Sequence, residues 1–254
     1  VVSLKWKREK LKFGEIILTW VLTQNLSLRK RSKLLRKRIN PFRMLICEKG
    51  DQVAIVTLNR PDKHNALSRE LRDKIINCLT GLEDNKNINV VVLTGSGASF
   101  CAGFDLSEFK TGNIQEIFEH AANYHHKVYN FSKPIIAAVN GNAMAGGMDL
   151  AAMCDVRIIS TDTQFGQPQV KMGIPAAFDL ISTIIPETIA RELCLTGRLM
   201  GAEQALSCGF ANEISKPEGL LKRATELAQE ISENKNGKNM KAEFKKLQPK
   251  LFHK

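Results

Sequence analysis

The stretch NGNAMAGGMDLAAMCD at residues 140–155 joins a short apolar run to a segment of helical character through small residues and glycines. The apolar run, Pro134 to Val139, predicts a strand, and the glycines predict a loop that opens a helix with Asp149 in its first turn. Free N–H groups at a helix N-terminus stabilise a negatively charged oxygen, and glycine lets a ligand approach them closely. We therefore expect this loop to hold an oxyanion beside a carboxylate.

Strands and helices alternate along the chain on either side of this loop. Val53–Leu58 and Val90–Thr94 are nearly continuous apolar runs, which is typical of strands covered on both faces. Between them, Ser68 predicts the start of a helix with apolar residues at helical spacing. Further strands are predicted at Ile135–Val139 and Val156–Ile159. Later segments favour helices, at Glu187–Thr196, Ala202–Ser207 and Leu220–Ser232. The pattern predicts an α/β core followed by a helical tail.

The positive charge is confined to the start of the chain, which has 254 residues and a net charge of +11. Residues 1–43 contain 13 Lys and Arg against Glu9 and Glu15, so they carry the whole excess. The remainder is neutral, with 24 residues of each sign, which argues against nucleic-acid binding by the core. We divide the chain into a basic N-terminal extension (1–43), a core (44–215) and a helical C-terminal tail (216–254).

The basic extension has several possible interpretations. Its apolar run, Ile16–Leu22, is too short to span a bilayer, and no small-residue cleavage pattern follows it. The Arg29–Arg38 stretch suits the end of a mitochondrial presequence, an electrostatic tether or a solvated run. Alternatively, translation begins at Met44. We expect a cytoplasmic protein without a membrane span, or a protein of the mitochondrial matrix if residues 1–43 are a presequence.

The cysteine and histidine spacing gives no sign of a metal site. The cysteines are Cys47, Cys78, Cys101, Cys154, Cys194 and Cys208. They fall mostly in apolar segments without a C-x-x-C pair, so we expect reduced core residues in a reducing compartment. His125 and His126 are adjacent on a polar helix and cannot face one metal ion from one helix face. No metal is expected.

Four segments in chain order resemble the crotonase (enoyl-CoA hydratase/isomerase) superfamily. They are LNRPDKHNALS at 58–68, FCAGFDL at 100–106, the stretch at 140–155 and FGQPQVKMGIP at 165–175. Leu195-Thr-Gly-Arg198 also fits, and the similarity runs from about residue 46 to 232. One glycine-rich piece alone would be weak, but four in order at natural spacing identify the chain as a member of the superfamily.

The resemblance implies an α/β fold of the ClpP/crotonase type, a spiral of repeated ββα units, here with a shortened helical C-terminal region. It implies an enzyme that acts on an acyl-CoA thioester, with CoA as part of the substrate and no separate cofactor. It also implies a homo-oligomer, a trimer or a dimer of trimers. The two backbone N–H groups that hold the thioester oxygen in the family fall on Phe104 and Gly146. Each such donor stabilises an enolate-like oxygen by about 3 kcal/mol.

The resemblance assigns further residues to the CoA moiety. The turn formed by Lys63, His64, Asn65 and Ala66 would line the channel through which CoA enters. The backbone of the loop from Phe104 through Asp105, Leu106 and Ser107 would contact the adenine. Structural roles compete with these assignments, because Asp105 also suits a helix N-cap and His64 a turn position.

The acidic residues depart from the hydratase pattern. Hydratases of the family carry one glutamate at the position of Asp149 and another at that of Gln169, and this pair activates water. A glutamine cannot gain or lose a proton at useful pH, although it can orient water or a thioester. Asp149 in its Gly-Gly-x-Asp-Leu context resembles the dienoyl-CoA isomerase branch; otherwise it complements the helix dipole. Asp179 is either a displaced base or a charge on a helix.

These residues favour an enoyl-CoA hydratase or isomerase in which Asp149 moves a proton and Gln169 positions substrate or water. The alternatives are a non-catalytic acyl-CoA-binding protein and an acyl-CoA hydrolase or decarboxylase.

In the family, further C-terminal helices cover the active site and build the trimer contacts. Here the basic segment Asn234–Lys254 stands in their place, and we expect it to form a loosely held helix.

Overall fold

The computed structural model describes residues 43–234 and 236–252, so the interpretations of the extension before Arg43 lie outside the described residues. The described strands are β1 (Leu45–Lys49), β2 (Gln52–Leu58), β3 (Ile88–Gly95), β4 (Ser99–Cys101), β5 (Ile135–Val139), β6 (Asn142–Met144), β7 (Val156–Ser160), β8 (Gln164–Gly166), β9 (Leu199–Gly201) and β10 (Glu213–Ser215). The described helices are α1 (Arg69–Glu83), α2 (Glu108–Thr111), α3 (Ile114–Tyr129), α4 (Gly146–Ala152), α5 (Phe178–Ile181), α6 (Glu187–Thr196), α7 (Ala202–Ser207), α8 (Pro217–Glu233) and α9 (Gly237–Leu247). None of these helices is both long enough and apolar enough to cross a membrane.

The apolar runs predicted as strands form the centre of the larger sheet. Its six strands lie in the order β1-β2-β3-β5-β7-β10, and all neighbours are parallel except the antiparallel pair β1 and β2. In β3, Val91 and Leu93 pack into the main core, whereas Val90 and Val92 pack against the face covered by α8. Both faces are therefore buried, which explains why the strand is apolar without alternation.

Three consecutive ββ units build the spiral. In the pairs β3–β4, β5–β6 and β7–β8, the first strand joins the larger sheet and the second joins a four-stranded sheet of order β4-β6-β8-β9. Helices α2 and α3 follow the first unit, α4 follows the second, and a short 3-10 turn with α5 follows the third. This architecture confirms the predicted α/β crotonase-like spiral of repeated ββα units.

The helix predicted after Ser68 is α1, and its start is capped as expected. The Ser68 hydroxyl oxygen accepts a hydrogen bond from the N–H of Leu71 at 3.3 Å. Leu71, Ile75 and Leu79 are buried on one face of the helix, which packs this face into the main core. The Ser68 cap satisfies one of the N–H groups that a helix start leaves open.

The two C-terminal helices contact the core to different extents. Leu220, Ala224 and Ala228 of α8 lie on the outer face of the larger sheet. In α9, the Lys241 ammonium pairs with the Asp155 carboxylate and the residue is only 3% exposed. Because an unpaired buried ammonium is very costly, the ion pair fixes α9 against the core at this residue. Most of the other described residues of α9 are exposed. The predicted helix is confirmed, and how loosely it is held stays a prediction.

Two successive ββα units meet where no side chain fits between them. A Cβ atom on Gly147 would lie 2.1 Å from the carbonyl oxygen of Cys101, and one on Gly103 would lie 2.8 Å from the carbonyl oxygen of Met144. Gly103 also has a φ of +90°, in the region that favours glycine. These glycines bring the end of β4 directly against the start of α4.

The contact makes Gly147 intolerant of a methyl group. We expect Gly147→Ala to lower the free energy of unfolding by about 2–3 kcal/mol, because backbone atoms must move apart. Gly81→Ala is the matched control: it lies in α1 with nothing within 4 Å of the added Cβ, and alanine there should stabilise by about 0.5–1 kcal/mol. Urea denaturation of both variants measures the difference. Equal effects would contradict the close contact.

Candidate active site

Helix α4 begins after a sharp turn at Ala145. This residue has φ +49° and ψ −125°, a conformation that costs a residue with a side chain of order 1–3 kcal/mol. Its N–H donates to the carbonyl oxygen of Gly166 at 2.8 Å, which ties the turn to β8. Gly146 follows as the first helical residue. The Gly146 N–H therefore has no acceptor within the helix.

A second N–H lies in the adjacent loop, at Phe104. The loop forms a parallel bridge with Leu67, whose N–H donates to the Gly103 carbonyl oxygen at 2.8 Å, while the Asp105 N–H donates to the Leu67 carbonyl oxygen at 3.4 Å. This pairing uses the groups on either side of Phe104 and leaves its own N–H outside the bridge. An added Cβ on Gly103 would lie 3.1 Å from the Gly146 nitrogen, so the two segments are in contact.

Asp149 is a buried carboxylate one turn into α4. It is 4% exposed, and its Oδ1 accepts a hydrogen bond from Gln167 Nε2 at 2.8 Å. Burial raises the pKa of Asp149 to about 7, against the opposing effect of the Gln167 hydrogen bond. A carboxyl group with a pKa in this range can both take and return a proton near neutral pH.

A chain of two amides continues from this carboxylate. Gln167 is fully buried, and its Oε1 accepts a hydrogen bond from Gln169 Nε2 at 2.6 Å. The other end of Gln169, its Oε1, is buried without a hydrogen-bond partner among the described residues. Sequence reasoning singled out Gln169 but missed Gln167. The two-residue spacing of these glutamines at the end of β8 was the signal that could have linked them.

Asp149, Gln169, Phe104 and Gly146 all line one cavity of about 340 Å³. Most of its wall is apolar, and its aliphatic and aromatic residues come from several elements. The other lining residues are Ala102, Leu106, Phe109, Phe118, Ala121, Ala122, His125, Ala145, Pro168, Met172, Ile174, Pro175, Ala176, Ala177 and Phe252. The structure thus brings the four predicted catalytic positions together at one apolar cavity, which is the usual setting of a small-molecule site.

The turn at residues 63–66 lies outside the cavity wall. Asn65 is fully buried, and its Nδ2 donates to the carbonyl oxygens of Ser96 and Ser99 at 3.0 and 2.7 Å. His64 Nδ1 lies 3.2 Å from Ser99 Oγ. The Asn65 amide therefore has a structural role in holding the turn, and the CoA contacts of Lys63, His64, Asn65 and Ala66 stay predictions.

The Asp105 carboxylate holds the loop at residues 105–107 through hydrogen bonds and an ion pair. Asp105 Oδ1 accepts hydrogen bonds from the Ser107 hydroxyl and N–H at 2.7 and 3.2 Å, and Asp105 Oδ2 pairs with Arg60 at 3.0 Å. Burial opposes ionisation of Asp105, but the bonds from Ser107 and Arg60 outweigh it and lower the pKa. The assigned N-cap of α2 is Ser107, which makes no side-chain cap hydrogen bond. The Asp105 carboxylate instead accepts the Ser107 N–H, and the Asp105 carbonyl oxygen accepts the Glu108 N–H, so the predicted capping role agrees with these contacts although it falls two residues before the assigned N-cap. Leu106 is the member of this loop that lines the cavity beside Phe104.

Two aromatic residues of the cavity were not predicted from sequence. His125 sits against the Phe104 ring with centroids 5.6 Å apart, and Phe252 from the C-terminal tail lies 5.0 Å from His125. Burial, and then the Arg72 guanidinium, lower the pKa of His125 to about 4. His125 is therefore a neutral part of the wall near pH 7. The interpretation of α3 as a polar helix was wrong on this face.

The cysteines differ in exposure. Cys101 and Cys154 are buried, as predicted, but Cys47 is exposed. Among residues 43–234 and 236–252, no group of three His, Cys, Asp or Glu side chains is arranged to hold a metal ion.

The spiral and the cavity at the start of α4 define a protein of the crotonase class. The profile of the family described as enoyl-CoA hydratase/isomerase matches residues 48–250. The chain belongs to this family, and it is an enzyme of the hydratase/isomerase type.

Relatives and solved structures agree with this assignment. The short-chain-enoyl-CoA hydratase of Clostridium acetobutylicum is 37% identical over 200 residues, covering 75% of this chain and 76% of the relative. The crotonyl-CoA hydratase of Syntrophomonas wolfei is 33% identical over 198 residues, covering 75% and 76%. The crystal structure of enoyl-CoA hydratase from Bacillus anthracis superposes with a TM-score of 0.77 at 28% identity, covering 80% of this chain and 83% of that one.

The buried carboxyl group makes stability depend on pH. The pKa of Asp149 is about 7 in the fold and about 3.9 in an unfolded chain, so the free energy of unfolding falls as pH rises between these values. Because asparagine cannot ionise, we expect Asp149→Asn to stabilise the fold by about 2–4 kcal/mol at pH 8 and by little at pH 4. Urea denaturation at both pH values tests this.

Asp51→Asn, in an exposed turn, is the control and should change stability by less than about 0.5 kcal/mol at either pH. A pH-independent effect of Asp149→Asn would contradict the assignment.

Proposed function

We propose that the protein binds an acyl-CoA thioester and transfers a proton at the carbon next to the thioester carbonyl, as an enoyl-CoA hydratase or isomerase. The observation that carries this proposal is the Asp149 carboxyl group, 4% exposed and with a pKa raised to about 7, in the wall of an apolar cavity. Burying an acid costs the fold free energy, and acids with a perturbed pKa cluster at functional sites.

The thioester oxygen lies between the Phe104 and Gly146 N–H groups in this proposal. Both residues line the cavity, their segments are in contact, and each N–H is free of the backbone pairing around it. When a proton leaves the neighbouring carbon, negative charge moves onto this oxygen. Two fixed N–H donors then stabilise the enolate by about 3 kcal/mol each. The dipole of α4 adds to the effect at Gly146.

Asp149 accepts and returns the proton. In its ionised form it takes a proton from the carbon next to the carbonyl of a 3-enoyl thioester, and the electron pair passes into the enolate and the adjacent double bond. The same carboxylic acid then delivers the proton two carbons further along the acyl chain. The net result is movement of the double bond without any other reactant. One acid–base group is sufficient for this sequence.

Hydration is the less favoured reaction of the two. It requires water to lose a proton while the neighbouring carbon gains one, and the family's hydratases divide this work between two glutamates. Here the second position is Gln169, whose amide neither gains nor loses a proton at neutral pH. The unpartnered Gln169 Oε1 suits it to hold a water molecule or the substrate in place.

The substrate class follows from the relatives and the cavity together. The relatives named above carry names for enoyl-CoA and crotonyl-CoA hydratases, and the apolar wall suits an alkyl chain. CoA is then part of the substrate, and no further cofactor takes part. We also expect the family's homo-oligomeric assembly. The cytoplasm or the mitochondrial matrix stays open as the compartment, and a relative from Dictyostelium discoideum is named as mitochondrial.

Removal of the proposed base tests the chemistry. We expect Asp149→Asn to lower kcat by about 10²–10⁴-fold, the range for a lost general base, while acyl-CoA affinity changes by less than about threefold. Asp179→Asn is the matched control, because Asp179 does not line this cavity. Turnover of 2-enoyl and 3-enoyl thioesters by chromatography and binding by calorimetry give the two readouts.

The same assay separates the alternatives. In the wild-type enzyme, kcat/KM should rise with pH through an apparent pKa near 7, because the ionised form of Asp149 is the base. Binding without turnover would favour a non-catalytic acyl-CoA-binding protein. Release of free CoA or carbon dioxide would favour a hydrolase or decarboxylase. Full activity of Asp149→Asn would overturn the proposed mechanism.

Restoring the second carboxyl group should shift the reaction toward hydration. We expect Gln169→Glu to raise the ratio of hydration to double-bond migration at least tenfold, because the pair can then divide the two proton transfers. A protonated glutamic acid can still donate to Gln167 Oε1 and so preserve the amide chain. Gln169→Met, similar in size but unable to exchange a proton, is the control. An unchanged product ratio in Gln169→Glu would argue against a role for this position in choosing the reaction.

A further inference from the structure

The C-terminal tail after α9 returns to the cavity wall. The Tyr129 hydroxyl donates to the Pro249 carbonyl oxygen at 3.0 Å, and the Phe252 ring packs edge-on against Tyr129 with centroids 5.6 Å apart. On its other side, Phe252 lies 5.0 Å from His125. The tail itself is anchored by the buried Lys241–Asp155 ion pair of α9. Phe252 is therefore held in place by contacts on several elements.

Phe252 also adopts a backbone conformation that needs compensation. Its φ is +58°, in the left-handed region, which costs a bulky residue of order 1–3 kcal/mol. Its contacts with Tyr129 and His125, and the packing of the neighbouring Leu251 on the main core, offset this cost. The position of the ring is thus set by tertiary packing rather than by local preference.

A second cavity also borders Phe252. It has a volume of about 260 Å³ and shares with the first cavity only Ala176, Ala177 and Phe252. Because an alanine side chain is a single methyl group, Phe252 is the shared residue whose side chain is best able to separate the two spaces. Asp179 and Lys250 lie in the wall of this second space, so it becomes polar away from the ring.

We propose that Phe252 determines the length of acyl chain that the enzyme accepts, by closing the apolar end of the substrate cavity. The inference rests on the proposed function, since it takes the 340 Å³ cavity as the acyl site. A chain that fits this space is bound with its end against the ring. A longer chain must displace Phe252 from its packing on Tyr129 and His125 before it can reach the second cavity. The preferred substrates are therefore short or medium acyl thioesters.

Binding of a series of saturated acyl-CoAs from four to sixteen carbons, measured by calorimetry, tests the proposal independently of turnover. The same series of enoyl-CoAs gives kcat/KM. In the wild type, affinity should stop rising with chain length once the first cavity is full. In Phe252→Ala, the ratio of the affinity for the longest chains to the affinity for four carbons should be at least tenfold higher than in the wild type. This is the gain from burying about two further methylene groups. Phe252→Trp should shift the preference toward shorter chains.

The control is Phe244→Ala, an exposed aromatic residue of α9 outside both cavities, which should leave the profile unchanged. Identical chain-length profiles in wild type, Phe252→Ala and Phe252→Trp would overturn the inference. If acyl-CoAs bind with the expected profiles but no enoyl-CoA is converted, the proposed chemistry fails and the inference stands. If no acyl-CoA binds at any length, both fail.

Discussion

The contact between the end of β4 and the start of α4 is the constraint on which the site depends. It exists because Gly147 presents a hydrogen, not a side chain, to the Cys101 carbonyl oxygen, where a Cβ would come within 2.1 Å. The contact joins two consecutive ββα units, which form successive turns of the spiral. It sets the Phe104 loop beside Gly146, so that two N–H groups from distant parts of the sequence reach one cavity. A single methyl group at this point would separate them.

Several features of the site cost stability, and the rest of the fold offsets that cost. Ala145 is held in a conformation with positive φ, and Asp149 is removed from water with one amide as its hydrogen-bond partner. The doubly covered larger sheet supplies the compensating burial through strands such as β3. Active sites in general contain strained or buried polar groups that lower the stability of the fold but are needed for activity.

The long elements could be predicted from the sequence because their signals are local. β2 and β3 are apolar on both faces, and α1 has a cap and a helical repeat, so each carries its own pattern. The second strand of each ββ unit has three residues, too few for any periodicity, and it was missed. Gln167, His125 and Phe252 were missed for a different reason. Their roles arise from contacts between segments far apart in the chain, which residue spacing does not encode.

The same distinction applies within the site. The backbone donors at Phe104 and Gly146 and the acid Asp149 lie in glycine-rich motifs that a resemblance can locate. The electrostatic setting of the acid depends on how deeply it is buried and on Gln167, so only the structure gives it. Part of the cavity wall, Phe252, comes from a tail that the sequence suggested would be loosely attached. The tail is attached by the Lys241–Asp155 ion pair, the Tyr129–Pro249 hydrogen bond and the packing of Phe252, all of them contacts between distant parts of the chain.

The chain of hydrogen bonds from Gln169 through Gln167 to Asp149 has a direction. While Asp149 is ionised it accepts, so both amides donate toward it and Gln169 is left with a carbonyl oxygen at its outer end. Once Asp149 gains a proton, its O–H can donate to a Gln167 amide that has turned over, and Gln169 then ends in an NH2 group. The outermost amide would thus change from acceptor to donor as the proton arrives, and the polarity offered to the substrate would follow the progress of the reaction.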